Sequence, residues 1–457
     1  MTAETALKPL PRRTGPLIEL RETLAYLLNP DEFIATRAQE LGPVFGTTLF
    51  FRPTAVIGGP PAVEDVLSQE RTITESSLPA PFTTLHTPYG ALNQSGARHR
   101  STRAGYQPLF QTMALENHLP VLTNAITGLT DRIARTGRTR IAHEGKIFCL
   151  NLFAELFAGE ALSEDEREAF LIYNRALLSL SQWLPSFRRG MAALSFLQER
   201  MAERLARFRR GELSSTCFSL FSSNTDEQGL PWSDERITTA TILLIWGAYI
   251  EVAALMASTL ILSENKADVR EQILHEAAQH GLSNRSTIGT LEQWTLPYTQ
   301  GVVREALRLH PPAGGGFRLA AKDVAIAGFR IPAGTVITAD PRIGNRMPSL
   351  YPEPDAFQPE RWIKRDGNRR RCPLTGTATS LVKGAWFPGG IGTHQCPGIP
   401  LAELCGRIFL VRWMQVIQTW RQPNDSRNSI PYTLLPIKIP TDSYQLIVQT
   451  AEHCTLG

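Results

Sequence analysis

The sequence predicts a mainly α chain with a small β lobe, and three stretches carry that expectation. Residues 237–262 are apolar nearly all round, as expected of a helix through the middle of a large protein. Residues 302–310 repeat apolar side chains at helical spacing and are stopped by Pro311-Pro312. Residues 44–59 alternate on two arms around Arg52-Pro53, a β-hairpin pattern, and residues 60–67 then begin a helix. A length of 457 residues allows two or three average domains. No Ser/Gly linker, low-complexity tract or internal repeat marks a break, so one domain over 1–457 is expected.

From the N-terminus, residues 1–16 read as an exposed leader carrying Arg12-Arg13. Residues 17–28 are interrupted by Glu19, Arg21 and Glu22, which makes an amphipathic helix rather than a span. No run of about 20 apolar residues opens the chain, so no transmembrane anchor is expected there, and no secretory signal is visible. The formal net charge of +4 is too small to point to a nucleic-acid partner. Cys149, Cys217, Cys372, Cys396, Cys405 and Cys454 are scattered, with no Cys-x-x-Cys pair. That excludes a zinc ribbon or disulfide scaffold and fits a reducing cytoplasm. Cys405 falls inside a helical stretch and reads as a small buried hydrophobe.

Cys396 is different. It is delivered by the loop Phe387-Pro388-Gly389-Gly390-Ile391-Gly392-Thr393-His394-Gln395-Cys396-Pro397-Gly398, ahead of an apolar helix over 399–417. A helix start stabilises a thiolate, and a thiolate can be an axial ligand to haem iron. The loop glycines allow tight turns and close approach to a flat ligand. Two further motifs precede this loop. Glu305 and Arg308 are three apart on one helical face, and Arg361, in Pro359-Glu360-Arg361-Trp362, is positioned to share the Glu305 carboxylate in a buried structural triad.

Glu-x-x-Arg, then Pro-Glu-Arg-Trp, then Gly-x-His-x-Cys-x-Gly resembles the cytochrome P450 family, the haem-thiolate monooxygenases, over nearly the whole chain. The resemblance implies one large, mainly helical domain with a small β lobe, haem b (iron protoporphyrin IX) as cofactor, and Cys396 as its metal ligand. It implies propionate contacts from His99 and Arg103, four apart in 96–103, from Arg318 after Gly314-Gly315-Gly316-Phe317, and from His394. The absent N-terminal span resembles bacterial-type members, expected to be cytoplasmic monomers. A pocket drawn from 79–86, 183–187, 246–250 and 313–317 should include Phe82, Leu85, Trp246, Gly247 and Phe317. Its apolar and aromatic character suits a small lipophilic or aromatic substrate.

The chain departs from the family in two places. The central helix should carry Gly, any residue, an acid and Thr over the haem, the acid and alcohol organising water for dioxygen chemistry. With Gly247 at the glycine, Tyr249 replaces the acid and Ile250 the alcohol; a second register keeps Glu251 as the acid and puts Val252 at the alcohol. Either way the alcohol is missing, so Tyr249, Ile250 and Glu251 are the candidate catalytic positions. Seven residues before the cysteine, Gly389 stands where the family has Phe.

Three activities follow: oxidation of a lipophilic metabolite (hydroxylation, coupling or cyclisation, as in secondary metabolism) with a ferredoxin-type electron donor; peroxide-using or dioxygen-independent chemistry; and, ranked last, haem sensing. Lys364, Arg365, Arg369, Arg370, Arg371, Lys383 and Arg407 cluster around the cysteine loop, where an acidic donor would be steered.

Overall fold

The structure is a computed structural model that describes residues 7–73, 75–179, 181–363, 384–423 and 430–450. Long helices dominate. Asp234–Ser263 runs through their centre, packed by Ile141–Ala158 and Pro185–Arg209 on one side and Pro297–Leu309 and Ile399–Val416 on the other. Ser233 caps it, its side chain accepting from the Arg236 N–H, with Asp234 and Glu235 in the first turn. This helix is long and apolar enough to cross a membrane, but most of its apolar window is buried inside the protein. One large apolar cluster surrounds it, and two smaller ones lie under the β lobe and the N-terminal helices.

The lobe is a five-stranded sheet ordered Val44–Leu49, Arg52–Ile57, Val336–Ala339, Phe317–Leu319 and Glu75–Ser76. The hairpin forms, but its turn is Phe50-Phe51, both left-handed (φ 51° and 60°), not Arg52-Pro53. A two-residue turn with both φ positive matches strand twist, and Phe-Phe carries none of the usual Asn-Gly signal for it. Pro53 lies in the strand opposite Thr48, just before the next strand begins pairing at Thr54, so its missing N–H breaks no ladder.

The described part of the expected leader, residues 7–16, is mostly exposed but tied down. Lys8–Pro9 pairs in parallel with Phe329–Arg330, Arg12 bridges Gly46, and Arg13 pairs with Glu40. Of the basic cluster, only Arg407 is described; it donates to the Thr295 carbonyl (3.2 Å), while Lys364, Arg365, Arg369, Arg370, Arg371 and Lys383 lie outside the described residues, as do Cys372 and Cys454. Cys149, Cys217 and Cys405 are buried free thiols.

Candidate active site

The cysteine loop is built by backbone hydrogen bonds. Gly390 N–H donates to Phe387 O (3.0 Å), Gln395 N–H to Gly392 O (3.0 Å) and Cys396 N–H to Gly389 O (2.7 Å). Gly390 and Gly392 hold φ of 79° and 67°, which favours glycine. Gly389 is needed for a different reason: a Cβ there would sit 3.0 Å from Cys396 Cβ and 2.9 Å from the Ile399 side chain. Phe387, two residues further from the cysteine, is buried in the β-lobe cluster.

Cys396 presents free surface although it lies deep inside the protein, so that surface faces interior space. Burial pushes its thiol above the usual value. The Gly398 and Ile399 N–H groups, at the start of Ile399–Val416, and the nearby Arg103 act the other way, while Glu251 adds to the rise. Two elements therefore converge on this sulfur electrostatically: the helix Gly96–Tyr106 through Arg103, and the central helix through Glu251.

Beside the sulfur lie two buried guanidinium groups, Arg103 and Arg318, and two histidines whose basicity burial lowers. His99 and His394 stack at 3.9 Å. His99 is driven down to about 3 by burial, then by His394, Arg103, Arg100 and Arg318. Arg103 and Arg318 are themselves pushed down by burial. Arg103 donates to the Gln395 carbonyl (2.6 Å) and Arg318 to the Ile391 carbonyl (2.5 Å), leaving Arg318 Nε buried without a partner. His394 Nε2 bonds the Gln94 carbonyl (2.9 Å). Glu70, the one carboxylate acting on Arg318, is engaged by Thr393 N–H and Oγ1. Buried cations with so little compensation call for an anion.

The central helix turns a narrow face to the interior. Leu244, Gly247, Ala248 and Glu251, spaced by three and four, are partly uncovered among buried neighbours, and a Cβ on Gly247 would meet nothing within 4 Å. This face keeps Glu251 from the second register but leaves out Tyr249, Ile250 and Val252. Tyr249 is fully buried on the far side, edge-on to Phe170 at 6.3 Å, its hydroxyl unpartnered. Ile250 and Val252 are 3% exposed, within the main apolar cluster. Each residue turns the helix by about 100°, which puts Tyr249 on the side away from Gly247, and Ile250, three residues from Gly247, is kept off the open face by its burial in the core. Glu251 holds the position over the interior space. Burial raises its carboxyl to about 7.

Of the other pocket residues, Phe82 stacks on His86 (4.1 Å) and lies edge-on to Trp246 (6.3 Å), whose Nε1 donates to Asn174 (3.0 Å). Leu85 is a correction: it is fully buried, and a Cβ on Gly190 would come within 3.4 Å of it, so it packs under Pro185–Arg209 rather than lining space. Phe317 packs edge-on against Phe50 at 6.0 Å, in the N-terminal cluster. Trp183 is 83% exposed. Leu244 was missed, while Ala248 falls within the expected 246–250 stretch; the spacing of 244, 247, 248 and 251 was the signal available for Leu244. Phe110 was also missed, and it comes within 3.7 Å of a Cβ built on Gly398.

Away from this space, Glu305 accepts from Arg308 Nε (2.9 Å) and Nη2 (2.7 Å), from Arg361 Nε (3.0 Å), from Trp362 Nε1 (2.8 Å) and from Gln358 N–H (3.0 Å). Arg308, fully buried, also donates to the carbonyls of Asn345, Pro354 and Ala356.

An interior space with a cysteine at one wall, an apolar helix face with one acid at another and buried cations at its edge fits a flat dianionic metal macrocycle, the arrangement of a haem-thiolate protein. The family model for cytochrome P450 matches residues 11–448, and the chain belongs to that family, whose members are haem b oxidoreductases of the monooxygenase type. It is 28% identical over 422 residues to a putative cytochrome P450 120 of Synechocystis sp., covering 91% of this chain and 92% of the relative. It is 25% identical over 433 residues to cytochrome P450 26A1 of Danio rerio, covering 89% and 84%. A solved structure of retinoic acid bound cyanobacterial CYP120A1 superposes with a TM-score of 0.85 at 25% identity, covering 97% of this chain and 100% of that one.

Proposed function

We propose that this P450 hydroxylates a long lipophilic acid of the retinoid type, using electrons from a ferredoxin-type donor. The observation that carries the reading is the likeness, over almost the whole of both chains, to a structure with retinoic acid bound. The apolar residues Leu244, Ala248 and Phe82 support it, since they suit a polyene chain better than a polar metabolite. When bound, the haem supplies the oxygen-activating chemistry. Cys396 would hold its iron as thiolate, helped by the Gly398 and Ile399 N–H donors. His99, Arg103, Arg318 and His394 would hold its propionates, the anions that the buried cations need. The Glu305–Arg308–Arg361 network is structural: it ties the helix Pro297–Leu309 to the Pro359–Trp362 turn and touches none of the cavity residues named above. All-trans-retinoic acid titrated into the haem-loaded protein should shift the resting absorption spectrum saturably, and a reduced ferredoxin system should then yield a hydroxylated product. A fatty acid of similar length that shifts the spectrum while retinoic acid does not would overturn the substrate class.

A further inference from the structure

We propose that a trough between the helices Thr112–Thr136 and Ile141–Ala158 is a second binding site, for a lipophilic carboxylic acid. The proposal rests on neither the haem-thiolate nor the retinoid reading, because the trough shares no residue with the cavity over Cys396. The two helices follow one another through the short strand Arg138–Thr139 and lie antiparallel. Between them a space of about 570 Å³ opens to solvent, within the range of ordinary ligand sites. The first helix gives it small side chains. Ala125 lines the trough, and Gly128, three residues on, has open room where a Cβ would point. Packing does not demand this glycine, and mid-helix glycine weakens a helix relative to alanine. Its missing side chain keeps that flank low beside the trough. The second helix supplies the floor. Ile147 and Phe148 are only half-buried and leave apolar surface uncovered there. The opposite flank of this helix is committed to packing: a Cβ on Gly145 would lie 3.6 Å from Ala253 of the central helix, and Cys149 Sγ lies 3.9 Å from Met256.

Charge fixes the class of ligand and its direction. At one end stand Arg132 and Arg140, both exposed, and neither makes a side-chain hydrogen bond or ion pair among the described residues. The other charged groups at that end are engaged. Glu144 accepts from the Arg140 N–H (3.0 Å), and His143 and Lys146 both face Asp442. Two free guanidinium groups beside an apolar floor suit a carboxylate that carries a hydrocarbon body. At the far end Glu155 also lines the trough, and its side chain has no partner among the described residues. Glu144 and Glu155 are separated by about 16 Å along the helix. A ligand of that length, with its acid at the arginines and its tail over Phe148 toward Leu152, meets complementary groups throughout. Turned around, it would set its carboxylate against Glu155. A neutral lipid would leave both guanidinium groups unused, and a dicarboxylate would meet repulsion at its second acid.

The test uses the haem-loaded full chain with its active cavity filled by clotrimazole, whose occupancy is read from the shift of the Soret band. A dansyl-labelled undecanoic acid is then titrated in. Its emission should rise saturably to one site per chain, and dodecanoate should displace it roughly tenfold better than dodecanol. R132A/R140A changes only exposed side chains, so it should fold normally while losing affinity on the order of tenfold. Added salt should weaken binding to wild type and leave the double variant nearly unaffected. A125F should fill the trough and remove the site while the clotrimazole shift persists. Absence of a saturable site once clotrimazole is bound, wild-type affinity in R132A/R140A, or equal displacement by dodecanol overturns the proposal. Each of these results leaves the haem-thiolate and retinoid readings standing, since both are read at the iron.

Discussion

Cys396 illustrates how one residue is governed by opposing fields. Burial favours the neutral thiol, while two backbone N–H groups and Arg103 favour the thiolate. A bound metal decides the contest, because a coordinating thiol is deprotonated outright. Cys396→Ala should therefore abolish the long-wavelength band of the reduced carbonyl complex, and survival of that band would mean that another residue holds the iron. Ile250 teaches the opposite lesson. Its side chain is 3% exposed in the main core, so it has no proton to place over the haem and no route by which to place one. Ile250→Thr should leave proton delivery unchanged and instead lower stability by about 1–3 kcal/mol, since it removes a buried methyl(ene) group and adds a hydroxyl to an apolar site. Denaturant unfolding reads the loss; a changed ratio of peroxide released to product formed would restore Ile250 as a catalytic position.

Among the elements, the helix Pro297–Leu309 depends most on one acid. Glu305 is fully buried and receives five hydrogen bonds from Arg308, Arg361, Trp362 and Gln358. Removing it leaves two guanidinium groups with no anion, and breaking such a buried network typically costs about 3–5 kcal/mol. That is a large part of the usual margin of stability. Glu305→Ala should accumulate poorly and carry little haem; a fully loaded variant that had lost only turnover would move Glu305 from structure to chemistry. The central helix is the contrasting element. Between Arg236 and Leu260 it is buried throughout except at the four residues of the interior face, which alone in that stretch are free to differ from packing requirements.

Across the whole molecule, acid stability should follow three buried histidines. Burial drives His86, His99 and His310 down to about 3, with neighbouring cations adding to the effect at His99 and His310. Each is neutral in the folded protein at pH values where the unfolded chain, with an ordinary value near 6.5, takes up a proton. The unfolded state therefore binds more protons between about 6.5 and 3, and their contribution to stability is complete above that window and lost as pH falls through it. Haem-free protein should lose denaturant resistance steadily below about pH 6.5. Haem should blunt the loss, because propionates beside His99 favour its charged form, whereas His86 and His310 are untouched. Equal acid sensitivity of the two forms would place the propionates elsewhere.

Motif and pattern determined much by themselves. Gly-x-His-x-Cys-x-Gly, Glu305-x-x-Arg308 and the apolar run after Ser233 are local: a turn needing positive φ, a pair three apart on one helical face, a helix with no polar side. Each is written in neighbouring residues, and so the helices and the cysteine loop were legible. The turn at Phe50-Phe51 was not, because it lacks turn-forming residues and is held by the strands on either side. The rotation of the central helix was the larger omission. In a segment apolar all round, periodicity carries no phase, and comparison with a family pattern put Tyr249 and Ile250 over the haem. Only packing against Ile141–Ala158, Pro185–Arg209 and Ile399–Val416 sets which stripe looks inward, and it chooses Gly247 and Glu251. The same holds for the buried arginine and histidine cluster. His99, Arg103, Arg318 and His394 are spread over nearly 300 positions, and only tertiary contact makes them neighbours and shifts their ionisation.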